Sequence, residues 1–237
     1  MQNLNIIFIH GWLFDSKVWC GIRNYFHTKH SVKMYDLPGY GKNKTLKLDH
    51  QKFCDRIFSD INHPTIVVGW SYGGLLALKS YSSINSNIKK IFLINTNLNI
   101  MGKNKTILNP ENIAQLKSNL RLRREKTIQK FTYEVLRHSK YLKQELIMLN
   151  KIYYDSYWPS NNELIKNLEY MENFKHDIEN IQRDIILINS ENDIFNDMEY
   201  LKGLDNKFIQ KKIIKDVGHL PFISRNKEIY SLIENSI

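Results

Sequence analysis

The sequence predicts an α/β fold: a mostly parallel sheet flanked by helices, with a helical block inserted into it. Three observations predict this. Short apolar runs such as Ile6–Ile9 and Ile66–Val68 alternate with stretches of helical period over roughly the first hundred residues. The same alternation returns after about residue 180. Between the two blocks the chain is helical in pattern, charged, and without a convincing strand. Strands alternating with helices imply parallel pairing, with crossovers on both faces.

The elements follow in order. Leu4–Ile9 is apolar and β-branched, the pattern of a buried strand, and it stops at His10-Gly11. Lys17–Phe26 places Val18, Ile22 and Phe26 on one helical face, with Asp15 or Ser16 as N-cap. Val32–Tyr35 is a short strand, closed by the turn at Pro38-Gly39. Asp49–Ile61 carries Phe53, Ile57, Phe58 and Ile61 at helical spacing. Ile66–Val68 is a strand, Gly73–Ser82 a helix and Ile91–Ile94 a strand. After the helical block come a strand at Ile185–Ile188, a short helix at Asp197–Leu201, a strand at Lys211–Ile214 and a closing helix at Arg225–Ile237. The expected organisation is a core of residues 1–98 and 181–237, with a helical cap of residues 99–180 over the strand ends. Open α/β sheets place their ligands there.

Composition narrows the function classes. A chain of 237 residues, 42% apolar and 24% charged, supports one globular unit with an ordinary core. Its apolar runs are strand-length, too short to span a bilayer. No basic segment followed by a long apolar stretch marks a secretory leader, so a cytoplasmic location is expected. Cys20 and Cys54 form no CxxC pair and are expected as reduced thiols. No His/Cys spacing suits zinc, so neither metal nor cofactor is expected. The net charge of +10 raises the question of an acidic partner. No nucleic-acid recognition motif accompanies it. A monomer without nucleic-acid or membrane partners is expected.

The chemistry centres on Gly69-Trp70-Ser71-Tyr72-Gly73, a G-x-S-x-G pattern between a buried strand and a helix. A sharp strand-to-helix turn needs small neighbours and lifts the serine hydroxyl clear of the sheet. A hydroxyl needs a base, and the base needs a carboxylate to orient it. His219 follows the last strand, in Gly218-His219-Leu220-Pro221. Asp193 follows the preceding strand, with Glu191 and Asp197 as competitors on the same loop. The expected catalytic set is therefore Ser71, Asp193 and His219. Two backbone N–H groups should face the developing oxyanion, those of Tyr72 and of Trp12 in the loop after the first strand. His10 is expected to shape that loop rather than act as a base.

Four segments are more specific than a generic hydrolase pattern: Phe8-Ile9-His10-Gly11-Trp12, Asp36-Leu37-Pro38-Gly39-Tyr40-Gly41, Gly69-Trp70-Ser71-Tyr72-Gly73-Gly74, and Gly218-His219-Leu220-Pro221-Phe222-Ile223-Ser224. Together they resemble the BioH-type pimeloyl-[acyl-carrier protein] methyl ester carboxylesterases of biotin synthesis, which have the α/β-hydrolase fold. The likeness covers both α/β blocks and is weaker in the cap. It implies the same triad, the same two oxyanion donors and an aromatic cap residue against the acyl chain, at Phe131. It also implies an acyl-carrier protein as partner, met by basic cap residues.

Residues 101–151 carry twelve Lys and Arg against four Glu, a net of +8, so most of the chain's charge lies in one part of the cap. Lys103 and Lys105 belong to it. Lys126 and Lys130 are four apart and can share a helical face. They sit at positions resembling the family's carrier-contacting arginines, and Arg123 is expected to join them. Three alternatives remain open at this point: a general short-chain carboxylesterase, a carbon–carbon bond hydrolase of the same fold, and a non-catalytic ligand receptor.

Overall fold

The computed structural model describes residues 4–81, 85–100, 106–153 and 158–236. Six strands form one parallel sheet: β1 (Asn5–Ile9), β2 (Ser31–Tyr35), β3 (Thr65–Trp70), β4 (Ile88–Ile94), β5 (Ile185–Ser190) and β6 (Ile209–Ile214). Their order is β2-β1-β3-β4-β5-β6. The burial pattern follows from that order. Central β3 and β5 are buried along their whole length, whereas edge strands β2 and β6 alternate or face solvent.

Helices α1 (Cys20–Phe26), α2 (His50–Ser59) and α3 (Tyr72–Tyr81) connect the first four strands. Asp15 caps a 3₁₀ turn over Ser16–Trp19 that leads into α1, so the expected single helix starts in a tighter winding. Asp49 caps α2 through Lys52 N–H. Among the described residues, four α-helices lie between β4 and β5: α4 (Pro110–Leu122), α5 (Arg124–Glu134), α6 (Leu142–Tyr153) and α7 (Asn161–Glu172). Asn109 caps α4 ahead of Pro110, and Ser160 caps α7. α8 (Met198–Gly203) links β5 to β6. α9 (Pro221–Ser224) and α10 (Asn226–Glu234) close the chain. The short α9 is not legible as a helix in the sequence; Pro221 at its first turn starts it before the expected boundary at Arg225.

The crossover from β1 goes to one neighbour, β2, and the chain then returns to pair β3 on the other side of β1. The loops after β1 and β3 therefore diverge, opening a crevice at the strand ends. Among the described residues no helix is long and apolar enough to cross a membrane.

Candidate active site

Ser71 occupies the turn between β3 and α3 with φ +53°, a left-handed conformation rare outside glycine. Such a residue costs about 1–3 kcal/mol and persists only when its surroundings impose it. Here they do. A Cβ on Gly69 would lie 2.6 Å from Gly74 Cα, and one on Gly73 would lie 2.4 Å from the His10 carbonyl oxygen. The Ser71 N–H donates to the Ile94 carbonyl, and its own carbonyl accepts from Gly74 and Leu75. The hydroxyl is thus held at the N-terminal end of α3, where the helix dipole favours negative charge.

His219 lies in the loop between β6 and α9 and is buried. Its Nε2 is 2.9 Å from Ser71 Oγ, and its Nδ1 is 2.9 Å from Asp193 Oδ2. A carboxylate can only accept, so Nδ1 carries the proton and Nε2 is free to accept from the serine hydroxyl. The other carboxylate oxygen, Asp193 Oδ1, accepts from Phe195 N–H at 2.9 Å. The competitors are elsewhere. Asp197 caps α8 through Tyr200 N–H and accepts from Asn99, and Glu191 is exposed.

The backbone of His219 is gripped on both sides. Its carbonyl accepts from Trp70 Nε1 at 2.8 Å and from Asn95 Nδ2 at 2.9 Å. Its N–H donates to the Val135 carbonyl at 3.0 Å. The ring lies 4.4 Å from that of Phe195 and 5.5 Å from that of Trp70, between centroids. Asn95 belongs to this hydrogen-bonded cluster, and sequence reasoning missed it. It takes φ +44° after β4 and spans Ser190 and the 218–219 carbonyls. An asparagine directly after a strand was the available signal, because Asn tolerates that conformation.

Trp12 and Tyr72 are buried, and the loops that bear them touch where Gly73 meets the His10 carbonyl. The Trp12 indole packs edge-on to Phe131 at 4.6 Å, and its Nε1 donates to the Leu164 carbonyl at 2.9 Å. His10 Nε2 accepts from Leu37 N–H at 3.0 Å, which puts its proton on Nδ1, donating to the Gly11 carbonyl at 2.9 Å. Burial holds its pKa below the ordinary histidine value, so it is a neutral loop-shaping group.

Beside Ser71 and His219 a cavity of about 10 Å³ has room for about one water. Its wall includes Trp12, Phe131, Leu108 and Met171. On the other side of Phe131 and Leu108 lies a groove of about 380 Å³, bordered by Arg123, Lys126 and Lys130. These three basic residues, at the junction of α4 and α5 and along α5, are brought together. Others of the expected basic set serve the fold. Lys117 pairs with Glu172 at 2.6 Å, and Arg124 donates to the Pro159 carbonyl at 2.7 Å. Lys103 and Lys105 lie outside the described residues. Among the described residues no group of three or more His, Cys, Asp or Glu could hold a metal. Cys20 is exposed, Cys54 is buried, and both are free thiols.

The family model described as alpha/beta hydrolase fold matches residues 5–225. The pimeloyl-[acyl-carrier protein] methyl ester esterase of Wigglesworthia glossinidia brevipalpis is 29% identical over 241 residues, covering 94% of this chain and 89% of that one. The protein of the same name from Shewanella woodyi is 24% identical over 175 residues, covering 73% of this chain and 68% of its own. Among solved structures, an esterase from Exiguobacterium antarcticum superposes with a TM-score of 0.81 at 13% identity, covering 99% of this chain and 92% of that one. A bromoperoxidase from Bacillus anthracis gives 0.82 at 17% identity, covering 98% and 91%. The matched family model spans both halves of the sheet and the helices between them, and the chain belongs to the alpha/beta hydrolase fold family.

Proposed function

We propose that this chain is a serine carboxylesterase that hydrolyses the methyl ester of a pimeloyl group carried on acyl-carrier protein, a step of biotin synthesis. The observation that carries the reading is the unbroken hydrogen-bonded line from Ser71 Oγ through His219 to Asp193. The names of the relatives from Wigglesworthia glossinidia brevipalpis and Shewanella woodyi supply the substrate class.

In this reading His219 Nε2 takes the Ser71 proton as Oγ attacks the ester carbonyl. Asp193 keeps the imidazole in the Nδ1–H tautomer and stabilises the imidazolium without taking the proton. The tetrahedral oxyanion accepts from the Tyr72 and Trp12 backbone N–H groups. His219 returns the proton to the departing methoxide, methanol leaves, and an acyl-Ser71 ester remains. Water, deprotonated by His219, attacks that ester and releases the free carboxylic acid and the serine. Residues 99–180 act as the cap. Arg123, Lys126 and Lys130 meet the acidic carrier and Phe131 packs on the acyl chain. Lys126 and Lys130 are exposed and make no ion pair among the described residues. Their charge serves encounter rate and register more than final affinity.

The test is methanol release from pimeloyl-carrier methyl ester, with Ser71→Ala as control. Release by the wild type and none by the variant is expected; no release by the wild type would remove the substrate assignment. A second reading, a general short-chain carboxylesterase, is favoured by the cavity of about 10 Å³ at the triad. Faster turnover of free acetate esters than of the carrier ester would select it.

A further inference from the structure

Helix α7 reaches both residues that carry the proposed oxyanion donors. The Leu164 carbonyl accepts from Trp12 Nε1 at 2.9 Å. One turn later, Asn167 Oδ1 lies 3.4 Å from the Tyr72 hydroxyl. Asn167 Nδ2 donates to the Tyr40 hydroxyl at 2.8 Å, and the Tyr40 ring packs against that of His10, at the start of the loop that bears Trp12, at 5.0 Å between centroids. The side chains of Tyr72, Tyr40 and Asn167 are all buried.

The Tyr72 hydroxyl has a second partner, His50 Nδ1 at 3.1 Å. His50 Nε2 donates to the Pro38 carbonyl at 2.7 Å and lies 3.0 Å from Glu163, also on α7. His50 Nε2 carries the proton, so the Tyr72 hydroxyl offers its one proton to two acceptors, His50 Nδ1 and Asn167 Oδ1. Held between them, the ring stays fixed, and with it the peptide at the start of α3.

We infer that Asn167, with the Tyr72 hydroxyl, is a positioning device that sets the spacing of the two oxyanion donors from the cap side. α7 bridges the loop after β1 and the turn after β3, the two loops that diverge at the crevice. Covalent connection between them runs through more than fifty residues, whereas Asn167 joins them through side chains. The device rests on the triad and oxyanion assignment above, but not on the carrier substrate.

The experiment uses p-nitrophenyl acetate and an alkyl trifluoromethyl ketone, which adds Ser71 Oγ to its carbonyl and leaves a tetrahedral oxyanion. Tyr72→Phe and Asn167→Leu are compared with the wild type. Each should lower kcat about tenfold, below the roughly hundredfold or greater loss that removing an oxyanion donor outright brings. KM should stay within about twofold, and ketone affinity should fall by the same factor as kcat/KM. The double variant should be no worse than the poorer single one, since both break one linkage. Tyr72→Phe removes one atom, so it carries the test if Asn167→Leu does not fold. Unchanged ketone affinity and kcat in Tyr72→Phe overturn the inference, as does a loss confined to KM. Failure of the wild type on the carrier ester overturns only the substrate. Full acetate hydrolysis by Ser71→Ala overturns the triad.

Discussion

The Val135 carbonyl, just beyond the end of α5, accepts the His219 N–H at 3.0 Å. The proposed base is thus fastened to the inserted helices as well as to the sheet. A Cβ on the neighbouring Gly218 would stand 3.2 Å from that same carbonyl oxygen. Gly218→Ala should push Val135 back by a few tenths of an ångström and lengthen the bond. We expect kcat on p-nitrophenyl acetate to fall about threefold to tenfold, with a stability loss of about 1 kcal/mol by urea titration, the usual scale for mild overpacking. Unchanged kcat would show that the cap contact does not position the base.

Asp193→Asn keeps the size and burial of the side chain but lets an amide face His219 Nδ1. The ring is then drawn toward the opposite tautomer, and Nε2 can no longer accept from Ser71. The expected loss is about 10⁴-fold in kcat with little change in KM. Asp197→Ala, on the same loop, should weaken the cap of α8 and its bond from Asn99, by about 1 kcal/mol, and leave kcat unchanged. If the two substitutions exchanged effects in steady-state kinetics, the acid would be assigned wrongly.

Much of this site is readable before any coordinates, because its chemistry forces residue types at close range in sequence. Gly69, Gly73 and Gly74 are required by contacts under 3 Å around one turn, and such a cluster around a serine has few other uses. The fold class is readable for a similar reason: buried parallel strands such as Thr65–Trp70 leave continuous apolar runs. What is not readable depends on packing between distant segments. Asp193, Asp197 and Glu191 have the same chemistry within seven positions, and only the path of the loop places one of them 2.9 Å from His219. Asn95, Asn167 and His50 look like ordinary polar residues in the sequence. Their partners lie 12 to 127 positions away.

Gly74 sits where α3 crosses the end of β4. A Cβ there would lie 1.9 Å from Thr96 Oγ1 and 3.0 Å from Thr96 Cβ. Gly74→Ala should cost about 2–3 kcal/mol, because a buried neighbour must shift. Thr96→Ala removes the worst of the overlap and should restore part of that loss when combined with Gly74→Ala. Chemical denaturation of the four proteins gives the coupling directly. Strict additivity would mean that α3 yields as a body instead.

His10 gives a stability effect with a definite sign. Burial lowers its folded pKa below the ordinary 6.5. The unfolded chain therefore binds a proton at pH values where the folded chain does not, and stability must fall as pH drops below about 6.5. The loss continues until the folded pKa is reached, with a slope of at most about 1.4 kcal/mol per pH unit from this group. His30, also held low by burial, acts in the same direction. Replacing His10 with Gln should flatten the fall without removing it, since His30 remains. Melting temperatures of both proteins between about pH 7.5 and pH 5 test this. Parallel curves would mean that His10 is already charged in the fold.

The groove of about 380 Å³ beside the triad separates the two substrate readings. Arg123 lies on its rim and is tied to Asn119 through Nε at 3.0 Å, so it is held in place. Lys126 and Lys130 are about one and two turns further along α5, exposed and free to meet an acidic surface. Replacing both with Glu changes the local charge by four without touching the cavity at Ser71. For a carrier-bound ester, kcat/KM should fall about tenfold to a hundredfold at low salt, as steering is reversed, and the deficit should shrink as salt screens the charges. For p-nitrophenyl acetate, which needs no docking, kcat/KM should stay within about twofold. A comparable loss on both esters would mean that the charges act by holding the cap in shape. No loss on either would leave the basic rim without a carrier and favour the short-chain reading.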